Sequence, residues 1–187
     1  MAQLEKLIPF LIFWETGIQD QSLTTETLFA KAKSRGIAND PADRGGATMV
    51  GVTIATYRDY CKRKRLPTPS ASSLSKLSYS EWLEILKIMF WDRWQADQIA
   101  DQRIAEMLVD WVWTSGSYGI TLPQKLLGVK TDGIVGPKTL YAVNARNPAE
   151  LFESLKRERI AYTNRICRSR PANAKFHSGW IRRINSL

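Results

Sequence analysis

One glutamate ends an apolar stretch of helical spacing. Leu4, Leu7, Ile8, Leu11 and Ile12 lead into Trp14-Glu15-Thr16-Gly17. A carboxyl beside an aromatic ring and partly desolvated suits a general acid near neutral pH, and Glu15 beside Trp14 has that form. By position alone Glu15 also reads as a solvated glutamate at a helix end. The second group is a loop, Asp43-Arg44-Gly45-Gly46-Ala47-Thr48-Met49-Val50-Gly51-Val52-Thr53. Its glycines let the backbone turn sharply or approach a ligand closely. Asp43 and Thr48 bracket the glycine pair, so a carboxylate and a hydroxyl can be held over one point. The same residues also read as a plain Asx-turn followed by a helix cap at Thr53. A phosphate loop is excluded, because G-x-x-x-x-G-K-[ST] is absent.

Helices must position these groups. Pro9 falls inside the first apolar pattern, where it either kinks the helix or marks a late start, and Gly17 supplies a stop. Thr25 to Arg35 reads as a short helix closed by Gly36. Thr53 can cap a helix to about Arg65, ending in the cationic run Lys62-Arg63-Lys64-Arg65. Ser78-Tyr79-Ser80-Glu81 fits a capping box for a helix reaching about Trp91. In the second half, Ile104, Met107, Leu108 and Trp111 mark an apolar stripe with Asp110 inside it. Asp110 is thus either a buried hydrogen-bonded group or a ligand contact. A helix from about Tyr118 stops at Gly128. Pro137 and Pro148 each suit a first helical turn, and the last long helix runs from Pro148 to about Arg168, ended by Pro171. No sustained period-two alternation is visible. The expected fold is mainly α-helical, with at most a small β-hairpin at the glycine loop.

Together these residues resemble a known family. E-x-G after an apolar helix, followed by Asn39-Asp40-Pro41 and the loop through Thr53, is similar to glycoside hydrolase family 108, which hydrolyses bacterial wall glycan and includes phage and prophage endolysins. Tyr79-Ser80-Glu81-Trp82 and Phe90-Trp91-Asp92-Arg93-Trp94 resemble its tryptophan-rich end. Val109 to Gly116 and Asp132-Gly133-Ile134-Val135-Gly136-Pro137-Lys138-Thr139 resemble the peptidoglycan-binding module that follows it. The resemblance implies a lysozyme-like part over residues 1–94 and a helical wall-binding module over 95–187. It implies cleavage of the β-1,4 bond between N-acetylmuramic acid and N-acetylglucosamine, with Glu15 as general acid. Asp43 and Thr48 would position water or stabilise the cation. Gly45, Gly46, Asp110 and Trp113 would contact substrate, and Trp91, Trp94 and Trp111 are further candidates for a sugar groove, with Trp111 expected inward. A separation of roughly 6.5–9.5 Å between Glu15 and Asp43 would mean inversion, and roughly 5–5.5 Å retention. Three residues depart from the pattern: Thr16 for glycine, Arg44 for proline and Thr114 for asparagine. The largest departure is an inserted segment, Ile18 to Ala38.

Bulk properties set the frame. The chain of 187 residues carries a net charge of +9, which suits an anionic partner such as the bacterial wall. Charge alone equally admits nucleic acid, so a nucleic-acid-binding helical protein and a non-catalytic wall binder are the rivals, though no nucleic acid is expected as partner. Cys61 and Cys167 form no C-x-x-C pair and read as two half-buried thiols rather than a disulfide. His177 is the one histidine and reads as a surface residue. No metal site or organic cofactor is expected. No secretory signal or membrane span is legible, so the expectation is a monomer made in the cytoplasm that reaches the wall by holin-like or other release.

Overall fold

The computed structural model describes residues 1–37 and 47–187. The chain divides into two compact units. Leu4–Met89 form the first, and Met1–Gln3 with Phe90–Leu187 form the second. Both are helical, and a single two-stranded antiparallel sheet completes the described secondary structure.

The first unit opens with a 3-10 turn, Leu4–Lys6, and then α1, Ile8–Thr16, with Pro9 in its first turn. Proline is tolerated there because its missing N–H has no helical partner in any case. The proline thus marks a late start and not a kink. Leu7, Ile8, Leu11 and Ile12 are fully buried. Gly17 closes the helix in the left-handed region (φ 70°), and its N–H returns to the Phe13 carbonyl.

Helix α2, Thr25–Lys33, occupies the inserted segment. The Thr24 side chain caps it, and Leu28, Phe29 and Ala32 form its buried stripe. Strands β1, Thr48–Met49, and β2, Val52–Thr53, pair in register Thr48 opposite Thr53. Val50 and Gly51 join them, both at positive φ (46° and 76°), the sign required by a two-residue hairpin turn of the primed type. A β-branched residue at positive φ is strained. The turn is held because the Val50 carbonyl accepts the indole N–H of buried Trp82 at 2.9 Å. Thr53 then caps α3, Ile54–Lys64. The cationic run at its end is exposed, apart from a Lys64–Glu84 ion pair at 2.6 Å, so it is a solvated helix end. The expected capping box is formed by Ser78 and Glu81, and opens α4, Tyr79–Leu86; a π-helical turn continues to Trp91.

The second unit is built around α5, Gln102–Ser115. Eight of its residues between Ile104 and Val112 are buried, and Glu106 alone in that span is partly exposed. Helix α6, Tyr118–Leu127, crosses it closely at Gly119. A Cβ on Gly119 would lie 2.4 Å from the Val112 nitrogen and 2.5 Å from the Trp111 carbonyl carbon, both backbone atoms. The Gly119 carbonyl also accepts the Trp94 indole N–H at 3.1 Å. Gly119→Ala should therefore force the helices apart and cost about 1–3 kcal/mol or more, read as a lower urea midpoint.

Pro137 and Pro148 each start a helix as expected: α7, Pro137–Asn144, and α8, Pro148–Ser169. A 3-10 turn at Pro171–Asn173 then leads into α9, Ala174–Asn185. Helix α9 is absent from the sequence reading. Gly179 interrupts its pattern, and a mid-helix glycine lowers helix propensity by about 1 kcal/mol. The helix forms because Arg183 and Ile184 are buried in the unit's interior. His177 is a half-buried link and not a surface residue, with Nε2 2.7 Å from the Asn164 Oδ1. Both cysteines are free thiols, Cys61 buried and Cys167 half-buried. No helix among the described residues is long and apolar enough to cross a membrane.

Candidate active site

Glu15 lies in the last turn of α1 and is half-buried. Trp14 beside it packs on Phe10 and Phe13, with ring centroids at 6.3 and 5.3 Å. The helix end is closed by side chains. The Thr16 hydroxyl donates to the Ile12 carbonyl at 2.6 Å and accepts from the Ile18 N–H at 3.3 Å. This gives the departure from glycine at position 16 a role, since threonine ties off the turn that carries the acid. The Arg35 guanidinium donates to the Thr16 carbonyl, where the helix leaves its last acceptors without helical partners.

Thr48 is half-buried on β1. A chain of contacts links its hairpin to the acid-bearing helix. Trp82 on α4 holds the Val50 carbonyl; Phe29 on α2 packs on Trp82 and Tyr79 at 5.5 and 5.7 Å; Thr25 and Tyr79 share a hydroxyl hydrogen bond of 2.7 Å. Helix α2 packs on α1, and Arg35 just beyond it reaches Thr16. The structure thus brings Glu15 and Thr48 into one compact unit through the inserted helix. Asp43, Gly45 and Gly46 lie outside the described residues, and Arg44 with them.

The remaining expected site residues belong to the second unit. Trp113 is half-buried and packs on Phe90 at 4.6 Å between centroids. Asp110 is corrected: it is 0% exposed and cannot touch a substrate. Its Oδ2 accepts from Arg159 Nη2 at 2.6 Å, and its Oδ1 accepts from Arg183 Nη2 at 2.7 Å. Burial disfavours its charge, but the attraction of Arg183 and Arg159 outweighs burial and holds the carboxyl below its ordinary range. Burial presses Arg159 downward, against the pull of Asp110. The Thr114 hydroxyl accepts from Arg159 at 3.1 Å and donates to the Asp110 carbonyl at 3.0 Å, so threonine at that position is a member of the cluster. Trp91, Trp94 and Trp111 are fully buried and line no groove; of these, Trp111 faces inward as expected.

The D-G-I-V-G-P-K-T word is organised by a residue the sequence reading passed over. Gln124 is fully buried on α6. Its Nε2 donates to Asp132 Oδ1 at 3.1 Å and to the Ile134 carbonyl at 3.0 Å, while its Oε1 accepts from the Gly133 N–H at 2.9 Å. Hydrogen bonds from the Ile134 N–H and from Gln124 hold the Asp132 carboxyl below its ordinary range. The word therefore fixes a loop conformation, with Gly133 at φ 74°. Among the described residues, no group of three or more His, Cys, Asp or Glu is placed to hold a metal ion.

Residues 31–116 match the glycosyl hydrolase 108 family, and residues 118–185 match the predicted peptidoglycan domain. The first match begins inside α2, so Glu15 precedes it. The junction between the matches falls after α5, inside the second compact unit. A solved structure of SagA from Brucella abortus is similar at 25% identity and a TM-score of 0.69, covering 86% of this chain and 91% of that one. No curated protein sequence matches.

Proposed function

We propose that this chain, whose residues 31–116 match the glycosyl hydrolase 108 family and whose residues 118–185 match the predicted peptidoglycan domain, is a muramidase. It cleaves the β-1,4 bond between N-acetylmuramic acid and N-acetylglucosamine of the bacterial wall. The observation that carries this reading is the half-buried Glu15 at the braced end of α1, in one unit with the Thr48 hairpin. Glu15 protonates the leaving oxygen. Asp43 and Thr48 orient the attacking water or stabilise the developing cation, as the second group of a glycoside-cleaving pair does. Gly45 and Gly46 let the backbone approach the sugar, and Trp113 offers it an aromatic face. The net charge of +9 concentrates the protein on an anionic wall. Release across the membrane by a holin-like partner, in a phage or prophage setting, completes the proposal.

The test is digestion of purified peptidoglycan, with the new chain ends read by mass spectrometry. A reducing N-acetylmuramic acid end is the expected product. A reducing N-acetylglucosamine end would move the cut to the other bond. A 1,6-anhydro end would mean that the sugar's own hydroxyl, and not water, captures the cation. Wall pelleting with no new ends would make the protein a binder. Thr48→Val should slow turnover by about 10²-fold if its hydroxyl orients the water, a misplacement effect, while Thr48→Ser keeps most of the rate. Turbidity clearing at fixed protein concentration reads this difference.

A further inference from the structure

An open trough runs between α6 and α8 in the second unit. One end is a hollow of about 460 Å³ whose lining includes Tyr118, Leu122, Tyr162, Arg165, Arg170 and Asn173. The other end, about 670 Å³, is lined by Lys125, Leu126 and Glu158, and again by Leu122 and Arg165. The shared residues make the two hollows continuous. From Tyr118 to Leu126 the trough follows α6 for about 12 Å, at about 1.5 Å per residue. That is the scale of a disaccharide. All of its lining falls within residues 118–185, the span that matches the predicted peptidoglycan domain.

The lining combines an aromatic platform with cations. Tyr118 is 55% exposed, and its ring leans on half-buried Tyr162 at 5.4 Å between centroids. It thus offers solvent a flat apolar face carried on a helix. A sugar ring has the matching form, with C–H groups on its face and polar groups at its rim. Three cations, Lys125, Arg165 and Arg170, line the trough against one acid, Glu158. Glu158 pairs with Arg165 at 2.9 Å, an exposed bridge that a ligand can open at little cost. Burial pushes the Tyr162 hydroxyl up, while the charges of Arg165 and Arg170 oppose that shift, so both cations act at the same end of the trough. A neutral sugar chain has no use for this surplus of cations. A wall strand does, because its peptide stems carry free carboxylates.

We propose that this trough seats a strand of wall glycan, with one sugar ring on the face of Tyr118 and the carboxylates of its peptide stem toward Arg165 and Arg170. The proposal rests on the reading of residues 118–185 as a wall-binding module, and it names the surface with which the module grips the wall.

The full chain is titrated with N-acetylglucosaminyl-N-acetylmuramoyl tetrapeptide, which a muramidase releases and does not cut further. Backbone amide resonances of Leu122, Arg165 and Ile166 are followed by NMR. They should shift saturably. Tyr118→Ala should weaken binding about tenfold or more, the effect of an anchoring aromatic, and Tyr118→Phe should keep most of the affinity because the ring face makes the contact. Arg170→Gln is the second variant, with an expected loss of about two- to fivefold at low salt that shrinks at high salt. No shift at these resonances, or parental affinity in folded Tyr118→Ala, overturns the trough. Equal affinity for the free tetrapeptide would make it a peptide site and overturn the sugar seat. Tighter binding of a short single-stranded oligonucleotide there would assign it to nucleic acid instead. Pelleting on purified sacculi separates the two levels. Weaker pelleting of Tyr118→Ala supports the trough. Undiminished pelleting of that variant overturns the trough but leaves the wall-binding reading in place. No pelleting of the parent overturns both.

Discussion

Glu15→Gln lowers clearing of purified peptidoglycan by about 10²- to 10⁴-fold, the usual contribution of a positioned acid. Glutamine keeps the size and the hydrogen-bonding carbonyl of the side chain but cannot deliver a proton. The effect therefore falls on the chemical step. Because Glu15 sits half-buried on the surface of α1 and not among the fully buried Leu7, Ile8, Leu11 and Ile12, the substitution leaves the core intact. The thermal midpoint should stay within a few degrees of the parent, and wall pelleting should be retained. A variant that clears peptidoglycan at the parental rate would remove Glu15 from the mechanism and leave the fold reading untouched. Comparison with Thr48→Val then sorts the roles: loss of the acid is the larger effect, and loss of the hydroxyl the smaller.

The second large effect is on stability. Asp110→Asn removes the carboxylate that pairs with two buried guanidiniums and should cost about 3–5 kcal/mol in urea unfolding. Replacing Asp110, Arg159 and Arg183 together by apolar residues of similar volume should cost far less, because the desolvation of all three charges is then avoided. The pH dependence has a definite sign. The folded carboxyl lies below its ordinary value near 3.9, so its contribution is complete above that value and is lost as pH falls through the folded one. Thermal midpoints from neutral pH into strong acid should drop in the parent through this group, and Asp110→Asn should lack that component.

Much of this was legible in the chain itself. Capping residues and first-turn prolines placed α3, α4, α6, α7 and α8, because those signals act locally and survive any tertiary context. A small hairpin at the glycine loop was expected, but not a turn that sets Val50 in the left-handed region, which the indole of Trp82, 32 residues away, helps to hold. Asp110 had two readings, and its resolution required Arg159 and Arg183, which lie 49 and 73 residues further along the chain. Arg183 was invisible as a partner because α9 itself was not read. Gln124 was missed although α6 was expected, because its partners Asp132, Gly133 and Ile134 sit in a loop beyond the helix. A buried polar residue in an apolar stripe announces that it has partners, but not which ones.

The inserted helix carries a consequence for how this lineage can change. Phe29 touches no expected substrate group, yet it leans on Trp82, whose indole holds the turn beside Thr48, while Arg35 clamps the helix end that bears Glu15. The helix between the two groups thus ties the helix end that bears Glu15 to the hairpin that bears Thr48. A change at Phe29 should therefore shift the hairpin without touching Glu15 or Thr48, so a residue remote from both can alter how they are held.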